Sequence, residues 1–166
     1  MDRLEEAAAE FERALELEPF SLLVQGHVAM AQWVRREYHP AIQQCRRVIE
    51  LGPDYAMAHW LVGLASISAG LFHEAVTALE TAHDLTGHTA FTTMGLGLAY
   101  GRAGRARDAR RLLEELAGQA RLSYVSPVNF GWIHMGLGEL DKAFECFNMA
   151  VEDHSPLMLF LAVDPN

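Results

Sequence analysis

Several side chains in this sequence have the right types for chemistry. There are eight histidines, and imidazole is the common ligand for transition metals. The closest pair, His83 and His88, has four residues between its members. No cysteine or carboxylate stands at a ligand interval from that pair, so no metal site is expected. His39 and His73 read as surface residues. His134, near Asn129, has the chemistry of a general base. A base needs a nucleophile or a second titratable group placed with it, and the sequence shows neither, so a packing role is expected. Cys45 and Cys146 are the two cysteines and form no C-x-x-C pair. They are expected as free thiols on core-facing helices, which suits a reducing cytoplasm.

Two further patterns concern anions. "MGLGLAYGRAG" (94–104) resembles a phosphate-cradling loop, and "MGLG" (135–138) repeats its G-x-G. A dinucleotide fingerprint must follow a strand, and none precedes either segment. Arg102, Arg105, Arg107, Arg110 and Arg111 could hold an anion or form a solvated helical face. The formal net charge of −9 repels nucleic acid and anionic lipid. No apolar run approaches the ~20 residues that span a bilayer, and "MDRLEEAAAEFE" lacks the features of a signal peptide. The expected reading is a cytoplasmic, non-catalytic protein with no cofactor, no nucleic-acid partner and no membrane association.

The elements that would position these residues follow from a repeat. Ala7, Ala41, Ala75, Ala109 and Ala143 stand at a constant interval of 34. Four residues after each come Phe11, Cys45, Leu79, Leu113 and Phe147, and three further come Ala14, Val48, Ala82, Leu116 and Ala150. Offsets of 0, 4 and 7 define one face of a helix. Twelve residues before the alanine stand Ala29, Gly63, Gly97 and Gly131, small enough for two helices to approach. Gly70, Gly104 and Gly138 mark a turn between them, and Pro19, Pro53 and Gly87 break the second helix. Ser126–Pro127 supplies an N-cap and a first-turn proline for the last full unit. Each unit is therefore helix A, tight turn, helix B, breaker.

This pattern resembles the tetratricopeptide repeat (TPR) family over almost the whole chain. The resemblance implies an all-α, right-handed superhelix of antiparallel helix pairs, an α-solenoid. Residues 1–21 would be helix B of a partial first repeat. Residues 22–55, 56–89, 90–123 and 124–157 would be full repeats, and 158–166 the start of a capping or sixth helix. The family's tryptophan in helix A is replaced by Gln25, His59, Thr93 and Pro127. The last repeats are similar to those of bacterial TPR proteins attached to winged-helix, adenylate cyclase or Ser/Thr kinase domains.

One stripe of helix A is apolar where a globular helix would be polar. It comprises Leu23, Gly26, Met30 and Trp33, then Met57, Trp60, Leu64 and Ile67. Phe91, Met94, Leu98 and Gly101 follow, then Val125, Val128, Trp132 and Met135. In the family such positions line the concave, ligand-binding face. Members that clamp an acidic C-terminus place lysine, arginine and asparagine there, and this stripe has none. Two uses are open to it. It could be a groove for an apolar peptide or helix of a partner or of the parent chain, with Met30, Trp33, Met57, Trp60, Leu64, Ile67, Phe91, Met94, Leu98, Val128, Trp132 and Met135 as its lining. Alternatively, neighbouring A helices bury it against each other. An interaction module is the expected function. The alternative is a self-associating spacer of a larger bacterial signalling protein. The apolar tail "LMLFLAV" (157–163) is expected to pack on the last B helix and to favour a homodimer.

Overall fold

The computed structural model describes residues 2–157, and the side chains of residues 2–4 are not described. The described chain is helical with no strand. Its elements are α1 (Asp2–Leu17), α2 (Leu22–Val34), α3 (Tyr38–Leu51), α4 (Ala56–Ser68), α5 (Phe72–Leu85), α6 (Ala90–Arg102), α7 (Ala106–Ala120), α8 (Pro127–Gly136) and α9 (Leu140–Glu152). α1 packs on α2. The other eight form four antiparallel A/B pairs, stacked as an α-solenoid. The tail segment expected to pack on α9 lies, beyond Leu157, outside the described residues.

Local sequence sets the helix boundaries. Ser21, Thr89 and Ser126 cap α2, α6 and α8 by accepting the backbone N–H of Val24, Thr92 and Val128, which satisfies donors that the first helical turn leaves open. Each of the four A helices ends in the same left-handed turn. The turn residue is Gly70, Gly104 or Gly138, at φ 75°, 76° and 74°. In the second repeat Arg36 holds the position at φ 65°, where glycine would avoid a Cβ penalty. The following amide reaches back five residues each time, as in Leu71 N–H to Ser66 O at 2.8 Å and Glu139 N–H to His134 O at 2.9 Å.

The core lies between the A and B rows. Ala41, Ala75, Ala109 and Ala143 are all buried at the pair crossings. Gly63 is opposed by Leu79, and Gly131 by Phe147. A Cβ at these glycines would lie 2.3 Å and 2.4 Å from those side chains. Gly97 departs from this rule, because its space is filled by Ile133 of α8, the next helix A, at 2.6 Å. α6 and α8 approach still more closely at their far ends. A Cβ at Gly101 would meet the backbone of Gly136 at 2.4 Å, and one at Gly136 would meet Leu98 O at 2.7 Å. The glycines of "MGLGLAYGRAG" therefore serve a helix crossing.

Candidate functional site

The apolar stripe of the A helices is mostly an internal seam. Trp33, Trp60, Leu64, Ile67, Met94, Leu98, Val128 and Trp132 are buried. Met30, Phe91 and Met135 are half-buried, and Met57 is 42% exposed. Successive A helices lie so close that most of the stripe faces the neighbouring helix. Trp33 donates its indole N–H to Ser68 Oγ on α4 at 3.0 Å. Trp60 of α4 stacks on Phe91 of α6 with ring centroids 4.6 Å apart. In this conformation the three tryptophans cannot touch a ligand directly.

Among the described residues, apolar hollows lie where first turns of the A helices emerge. One, of about 120 Å³, lies between α2 and α4 and is lined by Leu23, Gly26, His27, Met30, Tyr55, Met57 and Leu61. Another, of about 240 Å³, lies between the starts of α6 and α8. Phe91, Tyr124, Val125, Asn129 and Leu157 are among its walls. Leu23 and Tyr124, at 61% and 69% exposure, stand at their edges.

The residues in place of the family's tryptophan serve the loops. Gln25 donates to Pro19 O at 2.8 Å and accepts from Gln44 at 3.1 Å. His59 Nε2 lies 2.7 Å from Pro53 O, and Thr93 donates to Thr89 O at 2.9 Å. The bonds of Gln25 and His59 hold the start of a repeat to the proline breaker before it, and that of Thr93 stays within the first turn of α6.

His134 does have a titratable partner, contrary to the sequence reading. Its Nδ1 lies 2.8 Å from Glu139 Oε2, because the left-handed turn at Gly138 folds Glu139 back onto α8. Lys142 and Arg110 also donate to Glu139, at 3.0 and 3.1 Å. The hydrogen bond from Lys142, then those from His134 and Arg110, hold the carboxyl down at about 2. No nucleophile joins this cluster among the described residues, and it clamps the turn.

Within the arginine run, Arg110 is engaged with Glu139 and Arg105 with the preceding repeat. Arg105 pairs with Asp108 at 2.8 Å and Glu80 at 3.3 Å and lies 4.2 Å from the Tyr100 ring centroid. Tyr100 donates to Glu80 at 2.8 Å, and burial, then that bond, pushes its hydroxyl up to about 12. Cys45 is fully buried, and burial pushes its thiol up to about 12. Cys146 is only half-buried, with a pKa raised by burial and by Glu145.

A polar cluster unites the third and fourth repeats at the opposite ends of the helices from the turn glycines. The His83 and His88 rings stack with centroids 4.1 Å apart. Glu115, from α7, approaches His88 Nδ1 at 3.7 Å, and Asp84 approaches its Nε2 at 3.5 Å. Of these two carboxylates, Asp84 is local and Glu115 is supplied by the next repeat. Burial first, then neighbouring His88, lowers the pKa of His83, favouring its neutral form.

Among the described residues, no helix is long and apolar enough to cross a membrane. The family model for the tetratricopeptide repeat matches residues 1–56, 29–86 and 94–157. No curated protein matches the chain. Among solved structures, TTC0263, a thermophilic TPR protein of Thermus thermophilus, superposes with a TM-score of 0.76 at 20% identity, covering 98% of this chain and 89% of that one. MamA superposes with a TM-score of 0.65 at 20% identity, covering 91% and 88%. At these identities the likeness is one of fold.

Proposed function

The chain belongs to the tetratricopeptide repeat family, whose repeats generally mediate protein–protein contacts without catalysis, and we propose that it is a protein-interaction module whose α2/α4 face takes an apolar helix or peptide. The carrying observation is the hollow between Leu23, Met30, Tyr55 and Met57. It is lined mainly by apolar side chains, of which Leu23 and Met57 are exposed to solvent, and Tyr55 packs over buried Gly26. Methionine walls adapt to the shape of an inserted side chain. The buried tryptophans support this face from behind by fixing the spacing of the A helices. Selection of binding peptides from a displayed library, followed by titration against Leu23→Asp and Met57→Asp variants, tests the reading. Apolar binders that lose at least tenfold in affinity with either variant support it. Binders indifferent to both, or an empty selection, count against it.

Self-association is the second reading, favoured by the outer face of α9. Leu140, Phe144 and Val151, which share one stripe of that helix, are all more than half exposed. A dimer in light scattering that Phe144→Glu disperses would support this reading, and a monomer at micromolar concentration would remove it.

A further inference from the structure

We propose that His83, His88 and Glu115 form a binding site for a divalent transition-metal ion of the zinc class, joining the third and fourth repeats. One ligand atom from each residue can be chosen so that all lie within 4.8 Å of one another. Two imidazoles and one carboxylate suit zinc and its neighbours better than magnesium or calcium, which prefer all-oxygen sets.

The backbone commits His88 to this place. Gly87 and His88 are both left-handed, at φ 67° and 63°, a conformation that costs a residue with a Cβ. His88 N–H donates to His83 O at 3.1 Å. Gln119 of α7 donates to His88 O at 3.1 Å. The loop is thus tied both to the helix it leaves and to the next repeat, and its imidazole is returned onto His83.

Each histidine also has a partner for its other ring nitrogen. His83 Nδ1 lies 3.3 Å from Thr92 Oγ1, which leaves Nε2 for an ion. His88 Nε2 faces Asp84, which leaves Nδ1 on the Glu115 side. Ligating histidines are characteristically held by such outer partners. Zinc bonds of ~2.0–2.2 Å require the three ligand atoms to draw closer. His88 and Glu115 are partly exposed and can turn toward the buried His83. A cavity of about 400 Å³ adjoins the set, with room for water at a fourth position. Arg111 lines the same cavity and is a like charge beside which an incoming ion must bind.

The repeat pattern does not require these residues. Thirty-four positions earlier stand Ile49, Asp54 and Thr81, and thirty-four later Ala117, Leu122 and Met149. The three ligands are therefore an addition to the scaffold at one junction.

The test is calorimetric titration of the chelator-treated full chain with ZnCl2, beside thermal melts with and without zinc. His88→Asn keeps a residue that tolerates the left-handed turn, and Glu115→Gln keeps the carboxylate's shape. The expected result is one zinc per chain and a raised melting temperature. Each variant should weaken binding at least tenfold, with metal-free melts of Glu115→Gln and wild type alike. Co2+ should give a visible d–d absorption band in the wild type that both variants lose. The absence of saturable zinc binding by the wild type, or equal binding by wild type and Glu115→Gln, overturns the proposal.

Discussion

Replacing Gly101 by alanine should destabilise this array even though alanine is the better helix former. The new Cβ would sit 2.4 Å from the carbonyl carbon and 2.6 Å from the oxygen of Gly136. Its neighbour is main chain, which has no rotamer to change, so α6 and α8 must separate. Overpacking costs ~1–3 kcal/mol, and a backbone obstacle places this site near the upper end. Exchanging glycine for alanine within a helix returns ~1 kcal/mol. The net loss is ~2 kcal/mol, or a fall of ~4–8 °C in melting temperature for a chain of this size. Gly118 is the internal control. It is exposed in α7, and a Cβ there meets nothing within 4 Å. Gly118→Ala should therefore raise the midpoint by ~2–4 °C. Both midpoints can be read by circular dichroism at 222 nm. A Gly101→Ala protein that melts at or above wild type would refute the claim that these backbones touch.

Two other outcomes follow from groups whose titration the fold alters. Glu139 ionises well below its ordinary value of 4.5, so its contribution to stability is present above about pH 4.5 and is lost as pH falls toward 2. Glu139→Gln should lower the melting temperature at pH 7, and the gap from wild type should narrow as pH falls below 4.5 and nearly close at about pH 2; a gap as wide at pH 2 as at pH 7 contradicts the ion-pair account. Native protein treated with a thiol reagent at pH 8 should label half-buried Cys146 at least tenfold faster than Cys45, whose thiol is held protonated by burial. Equal rates, measured by peptide mass spectrometry, would contradict the burial assigned to α3.

The repeat was legible because its determinants are local. Alanine every 34 residues, a glycine turn and a breaker each act within a few residues of themselves. The use of the Trp/Met stripe was not legible, because the same spacing serves a groove or a seam. Which one forms depends on how closely one helix A approaches the next. At α6 and α8 that distance is set by Gly101 meeting Gly136, residues from different repeats. Glu115 was invisible beside His83 and His88 for the same reason, since it arrives from another repeat. The partner of His134 was closer to hand. A left-handed glycine turn at Gly138 brings the fifth residue on, Glu139, back over the helix end, and that rule could have found it.

Trp33, Trp60 and Trp132 are all the tryptophans of the chain, and each is buried in a different repeat. Intrinsic fluorescence is consequently a positional signal in this protein. Phenylalanine at any two of the three sites leaves one emitter, whose spectrum shifts to the red when its own junction admits water. In a one-dimensional array the loss of a repeat propagates to its neighbour. The order in which the three emitters shift on heating would record where unfolding starts and which way it travels, with no dye attached.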